Sequence, residues 1–132
     1  MRNCGLRDEV ALRVWKLLQW PRMGKITGIV TKGNGKGKKL GFPTANVALS
    51  KKIPPGIYAG KVLCGSGTYK SAIYVPRNSG IVEAHLLEYE GNLYGQEITI
   101  TFYDRIREDR EFASEGELIE AIRQDIEKIK KT

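Results

Sequence analysis

Several protein classes are argued against by what this 132-residue sequence has little of. It has two cysteines, Cys4 and Cys64, which are far apart and show no CxxC or Cys/His spacing. That speaks against a zinc site and suits a reducing compartment. The single histidine, His85, has no second histidine or nearby cysteine with which to share a metal. No apolar run approaches the roughly 20 residues of a membrane span, and the N-terminus lacks the ordered regions of a secretory signal. The expected location is therefore cytoplasmic, with no membrane partner. There is no internal repeat and no low-complexity tract, and five prolines against fifteen glycines point to many turns rather than disorder.

What is present describes one ordinary globular domain with a real core. Hydrophobic residues make up 41% and charged residues 28% of the chain, within the usual range for such a domain. The net charge of +7 implies attraction to an anion. A nucleoside triphosphate, a nucleic acid or an anionic surface would each satisfy it, and charge alone does not choose between them.

The most informative stretch runs from Gly33 to Asn46, GNGKGKKLGFPTAN. Alternating glycines and lysines let backbone N–H groups turn toward an anion while Lys36, Lys38 and Lys39 add charge. Pro43 then stiffens the chain and holds Phe42 extended. In an extended segment Thr44 and Asn46 share a face, so a hydroxyl and an amide oxygen lie side by side. Such neutral oxygens next to a phosphate cradle suit Mg²⁺. The plainer reading is a mobile, soluble turn followed by common turn residues. It is not a Walker A loop, because Lys39 follows Gly37-Lys38 where that motif needs Ser or Thr.

The unbroken string GKKLGFPTAN resembles the signature of riboflavin kinases, both the stand-alone enzymes and the C-terminal domain of bacterial bifunctional FAD synthetases. The resemblance continues through PPGIYAG (54–60), VEAHLLEY (82–89), LYGQEITITF (93–102) and IREDREF (106–112), in the family's order, over roughly residues 24 to 128. It implies a six-stranded antiparallel Greek-key barrel with a C-terminal helix. It also implies ATP-dependent phosphorylation of the riboflavin 5′-hydroxyl, giving FMN and ADP.

The residue pattern agrees with a mainly β fold. Period-two alternation predicts strands at 26–31, 43–48, 57–63, 69–75, 81–89 and 97–103, separated by glycine-bearing turns. Short strands with close turns suggest a closed barrel, which hides its sheet edges. Residues 8–20 read as an extra N-terminal helix carrying Val10, Val14, Leu17 and Leu18 on one side. Residues 1–23 are thus expected to form a helical extension, and residues 24–132 a riboflavin-kinase-like barrel domain. Ser114 with Glu117 reads as the capping box of a C-terminal helix whose apolar side is Leu118, Ile122, Ile126 and Ile129. The bifunctional enzymes carry an adenylyltransferase domain upstream, for which this chain has no room, so FAD synthesis is not expected of it.

On the strand 81–89, Glu83 and His85 point to one face and Val82, Ala84 and Leu86 to the other. By residue type alone Glu83 is better read as a solvated outer-face carboxylate than as a catalyst. The resemblance makes it the base that takes the proton of the ribityl hydroxyl, with His85 in support. It matches Thr44 and Asn46 to the Mg·ATP residues. Phosphates would be held by Gly33, Gly35 and Gly37 with Lys36, Lys38 or Lys39. Arg107 and Phe112 match a flap near the isoalloxazine ring, although Phe112 equally suits a structural staple at the helix start.

One departure stands out. Pro76-Arg77-Asn78 replaces an Asn-Pro-Thr-type turn, and the loop around it is short. A non-catalytic flavin- or nucleotide-binding module on the same barrel is therefore an alternative. A basic nucleic-acid-binding barrel is a second, but such a surface should interleave aromatics with its basic residues, and only Phe42 lies near the basic loop. The expected partners are riboflavin or FMN and ATP or ADP, with no nucleic acid, for a monomeric protein.

Overall fold

The computed structural model describes residues 24–33 and 36–131, with the backbone alone at Lys36 and Gly37. The expected N-terminal helix at 8–20 lies outside the described residues. Six strands form one antiparallel sheet: β1 (Lys25–Ile29), β2 (Ala45–Ala48), β3 (Gly56–Cys64), β4 (Gly67–Val75), β5 (Ile81–Leu86) and β6 (Glu97–Arg107). A helical turn, α1 (Lys36–Lys39), stands where the sequence suggests an open loop, and the helix α2 (Glu115–Lys130) closes the chain.

The strand order is β1-β6-β3-β4-β5-β2. The two end strands approach each other through a bridge between Thr31 and Asn46, where the Thr31 N–H donates to the Asn46 carbonyl at 2.8 Å. The sheet is thereby rolled into a nearly closed barrel. This contact requires Gly28, because a Cβ there would lie 2.5 Å from Val47 Cγ1. Among the described residues no helix is long and apolar enough to cross a membrane.

Alternation along the strands sorts the residues. Val47, Tyr58, Val62, Ile73, Val75, Val82, Ala84, Ile98, Ile100 and Phe102 point inward and are buried. Tyr58 and Phe102 meet edge to face at 5.3 Å, and the Tyr58 hydroxyl donates to the Pro54 carbonyl at 2.6 Å. On β5 the burial alternates as expected, with Val82, Ala84 and Leu86 inside and Glu83 and His85 on the opposite, half-covered face.

The predicted strands are all present with shifted ends. β5 stops at Leu86 rather than Tyr89, because Glu88 takes a left-handed φ of 57° and Leu87 N–H turns to the Lys70 carbonyl. β6 continues four residues past the expected end, to Arg107. Two register shifts against β3 let it bend over that length, as bulges do.

Helix α2 starts as its capping box predicts: the Ser114 hydroxyl accepts the Glu117 N–H at 3.2 Å. Its buried stripe is Ala121, Asp125 and Ile129, with Leu118, Ile122 and Ile126 half-buried beside it. Ile129 closes a small second core with Ala59 and Leu87, outside the barrel wall. The helix therefore covers only part of the outer face of β3 and β4, and a cleft remains next to it.

Candidate active site

The cleft is built on one row of cross-strand neighbours. Asn46 on β2 pairs with Glu83 on β5, Glu83 with Tyr74 on β4, Tyr74 with Ile57 on β3, and Ile57 with Arg107 on β6. Directly opposed residues of antiparallel strands lie on the same side of the sheet. Strands are about 4.8 Å apart, so the row extends for about 20 Å. It reaches Arg107 because the register shift between Ile57 and Tyr58 re-aims the end of β6. Above it lies a cleft of about 730 Å³ whose lining includes Thr44, Glu83, Tyr74, Arg107 and Phe112.

At one end, the Thr44 hydroxyl donates to Asn46 Oδ1 at 3.2 Å. The two oxygens foreseen to lie side by side do so. Neighbouring ligands of an octahedral Mg²⁺ are about 3 Å apart, given metal–oxygen distances of about 2.1 Å, so the pair fits a hard cation. Both side chains are neutral, and most of the opposing charge would have to come from a phosphate. Among the described residues no cluster of three His, Cys, Asp or Glu side chains offers an alternative metal site.

Asn46 is buried, and its position depends on Gly33: a Cβ on residue 33 would lie 1.6 Å from Asn46 Nδ2. Gly33 thus lies directly over the amide. Lys38 and Lys39 are exposed within and at the end of α1, so their charge faces solvent. Lys36 and Gly37 belong to the same helical turn, while Gly35 lies outside the described residues.

Glu83 occupies the centre, one strand from Asn46 and one from Tyr74. His85 donates through Nδ1 to the Pro43 carbonyl at 2.8 Å, and its ring meets Phe42 edge-on at 5.7 Å. A carbonyl only accepts, which fixes the proton on Nδ1. His85 therefore ties the PTAN segment to β5 and keeps Thr44 and Asn46 beside Glu83.

The opposite end is aromatic and cationic. The Arg107 guanidinium lies 5.3 Å and that of Arg110 4.7 Å from the centre of the Phe112 ring. Arg107 is also gripped by the carboxylate of Asp125, which is 3% exposed, at 2.9 Å through Nη2 and 3.1 Å through Nε. Burial pushes the Tyr74 phenol well above its ordinary pKa, and its hydrogen bond to Asp109 and the charges of Asp109 and Glu83 act in the same direction. Tyr74 thus stays a neutral donor.

The cleft brings Thr44, Glu83, Arg107 and Phe112 together; Asn46, Gly33 and Lys38 do not line it, and Asn46 adjoins it through its hydrogen bond to Thr44 and its pairing with Glu83. Three participants were not singled out from sequence: Tyr74, Asp109 and Asp125. The signal for Asp125 was there, since an acidic residue interrupts the i, i+4, i+8 stripe of Ala121 and Ile129. Tyr74 and Asp109 carried none, because neither breaks the pattern of its own element.

A family model described as flavokinase, riboflavin kinase, matches residues 20–132. The bifunctional riboflavin kinase/FMN adenylyltransferase of Buchnera aphidicola subsp. Schizaphis graminum is 36% identical over 143 residues, covering 99% of this chain and 45% of that protein. The enzyme of the same description from Bacillus subtilis is 38% identical over 113 residues, covering 76% of this chain and 35% of that protein. The chain spans less than half the length of these relatives. Among solved structures, a macrolide-efflux protein from Streptococcus pneumoniae superposes with a TM-score of 0.71 at 28% identity, over 78% of this chain and 37% of that one. Riboflavin kinase from Trypanosoma brucei gives 0.62 at 23% identity, over 81% and 74%, which is a likeness of fold.

Proposed function

The chain belongs to the riboflavin kinase family, and from that premise we propose that it transfers the γ-phosphoryl group of ATP to the 5′-hydroxyl of riboflavin, giving FMN and ADP. The observation that carries the reading is the cross-strand row. A carboxylate stands one strand from a pair of neutral oxygens and, on its other side, one strand from the approach to an aromatic, arginine-lined pocket. A phosphoryl acceptor needs that order: phosphates at one end, a proton acceptor in the middle, a flat ring at the other.

Phosphoryl transfer asks the protein mainly for alignment and charge. Glu83 accepts the proton of the 5′-hydroxyl as its oxygen bonds to the γ-phosphorus and the bond to the β,γ-bridging oxygen breaks, releasing ADP. Thr44 and Asn46 would hold Mg²⁺ with the nucleotide, and the ion would supply positive charge against the phosphates. Gly33, Gly35 and Gly37 with Lys36 and Lys38 cradle those phosphates. The isoalloxazine ring lies toward Arg107 and Phe112; an aromatic edge and a guanidinium suit a flat, polar-rimmed ring.

The edge strands that meet through Thr31 and Asn46 support a Greek-key barrel for the domain that begins at residue 24. The protein is taken as a cytoplasmic monomer without a nucleic-acid partner.

The test is to incubate purified protein with riboflavin, ATP and Mg²⁺ and to separate flavins by chromatography. FMN and ADP in equal amounts are expected. Binding of both substrates without FMN would replace this reading with a non-catalytic module. A steep log–log salt slope toward oligonucleotides would favour the nucleic-acid alternative.

A further inference from the structure

The turn after β4 and the segment after β6 are some thirty residues apart in sequence, and they meet beside the ring end of the cleft. Asp109 is their junction. Its Oδ1 accepts the Tyr74 hydroxyl at 3.0 Å, and its Oδ2 accepts the Arg77 backbone N–H at 3.2 Å. Its own carbonyl accepts Arg77 Nη2 at 2.8 Å. Both carboxylate oxygens and the main chain of one residue are thus committed to the opposite wall.

These bonds use the sequence feature that departs from the family's pattern. The Pro76-Arg77-Asn78 turn is tight, with Asn78 at φ 55° and Gly80 at φ 70°. It presents the Arg77 N–H and guanidinium together, which lets it bracket Asp109 from two sides. The segment it grips, 108–113, carries Arg110 and Phe112, whose contact forms part of the cleft wall. Apart from these bonds, that segment is without regular secondary structure. An irregular stretch that must be ordered on ligand binding costs affinity, and a stretch already held in place does not.

We propose that Asp109 is a positioning residue: through Tyr74 and Arg77 it clasps the 108–113 segment to the β4–β5 turn and so sets how firmly riboflavin, but not ATP, is retained. The inference rests on the function proposed above. The selectivity follows from placement, since the clasp borders Arg110 and Phe112 while Thr44 and Asn46 lie beyond Glu83 at the far end of the row. Tyr74 and Arg77 share one acceptor residue, so their contributions are coupled.

Two variants separate the clasp from general folding. Arg77→Ala deletes the guanidinium and leaves the backbone bond; Tyr74→Phe deletes one hydroxyl and leaves the ring. Each removes a hydrogen bond in which one partner is charged, worth roughly tenfold in binding. Riboflavin KM is expected to rise about tenfold in each, with ATP KM within about twofold. The double variant should rise by less than the product. Without any ligand, hydrogen exchange across 108–113 should quicken in both variants, while β3 and β6 exchange as in the parent. Unchanged riboflavin KM with unchanged exchange overturns the inference, as does an equal rise in ATP KM. A parent protein that binds no riboflavin removes the proposed function and this inference together. A parent that binds it, with variants of parental KM, removes the inference alone.

Discussion

At the scale of single residues, the row from Asn46 to Arg107 makes each role separable. Glu83→Gln keeps the size and hydrogen-bonding capacity of the side chain and removes its ability to take a proton. Turnover should fall by about a hundredfold to ten-thousandfold, with riboflavin and ATP affinities changed far less, because the loss is felt in the transition state. Steady-state kinetics alongside a thermal melt measure both parts, and parental turnover in a folded variant would remove Glu83 from the mechanism. Gly33→Ala asks a different question. Its Cβ would lie 1.6 Å from Asn46 Nδ2 and 2.9 Å from Asn46 Cγ, so the short, buried side chain must swing away as a whole. Overpacking of this kind should cost about 1–3 kcal/mol. The displaced amide also no longer presents Oδ1 beside Thr44. A Mg·ATP titration should show affinity reduced by at least about tenfold, roughly the worth of one charge-assisted contact; equal affinity in variant and parent would show that Asn46 does not serve the nucleotide.

At the scale of elements, the strands and the capped helix were legible because alternation and capping are local. Glu83 and His85 on one face of β5, and Ser114 at the head of α2, follow from sequence spacing alone. What was not legible depends on register. Nothing within IREDREF says that β6 runs to Arg107, since that length depends on two slips against β3, about fifty residues away. The apolar pattern of α2 can reveal an acidic residue inside its buried stripe, but not the cation that Asp125 meets, because Arg107 lies on β6. The N-terminal helix read from residues 8–20 falls outside the described residues. The Arg107–Asp125 pair is the tie between β6 and α2, with side chains 20% and 5% exposed. Removing one member of a buried pair leaves the other charge uncompensated, typically at 3–5 kcal/mol. Arg107 keeps partial access to water, so Asp125→Ala should lose about 3 kcal/mol, the low end of that range. Urea unfolding measures it, and a loss below about 1 kcal/mol would mean the pair behaves as a surface contact.

At the scale of the whole molecule, barrel closure and the phosphate end of the cleft depend on the same few atoms. β1 and β2 approach where Gly28 meets Val47, and the next residue along β2 is Asn46, whose carbonyl carries the closing bridge to Thr31. Gly28→Ala sets two effects against each other. Replacing glycine restricts the unfolded chain and favours folding by about 0.4–1 kcal/mol where the backbone tolerates it. The new Cβ would also lie 2.5 Å from Val47 Cγ1 in the packed core, and overpacking of this kind costs about 1–3 kcal/mol. The second term is larger, so the variant should be destabilised by about 1 kcal/mol. Val47→Ala makes room at the contact, so the double variant should be less destabilised than the sum of the two singles, with a coupling of about 0.5 kcal/mol or more. Because β2 must shift outward to admit the methyl group in Gly28→Ala, Asn46 moves with it. Mg·ATP affinity should fall in that single variant and recover in part when Val47 is also alanine, while riboflavin affinity follows neither change. Urea titrations with parallel nucleotide and flavin binding would resolve these outcomes. Additive stabilities, with nucleotide affinity untouched, would show that closure of the barrel and assembly of the phosphate end are independent.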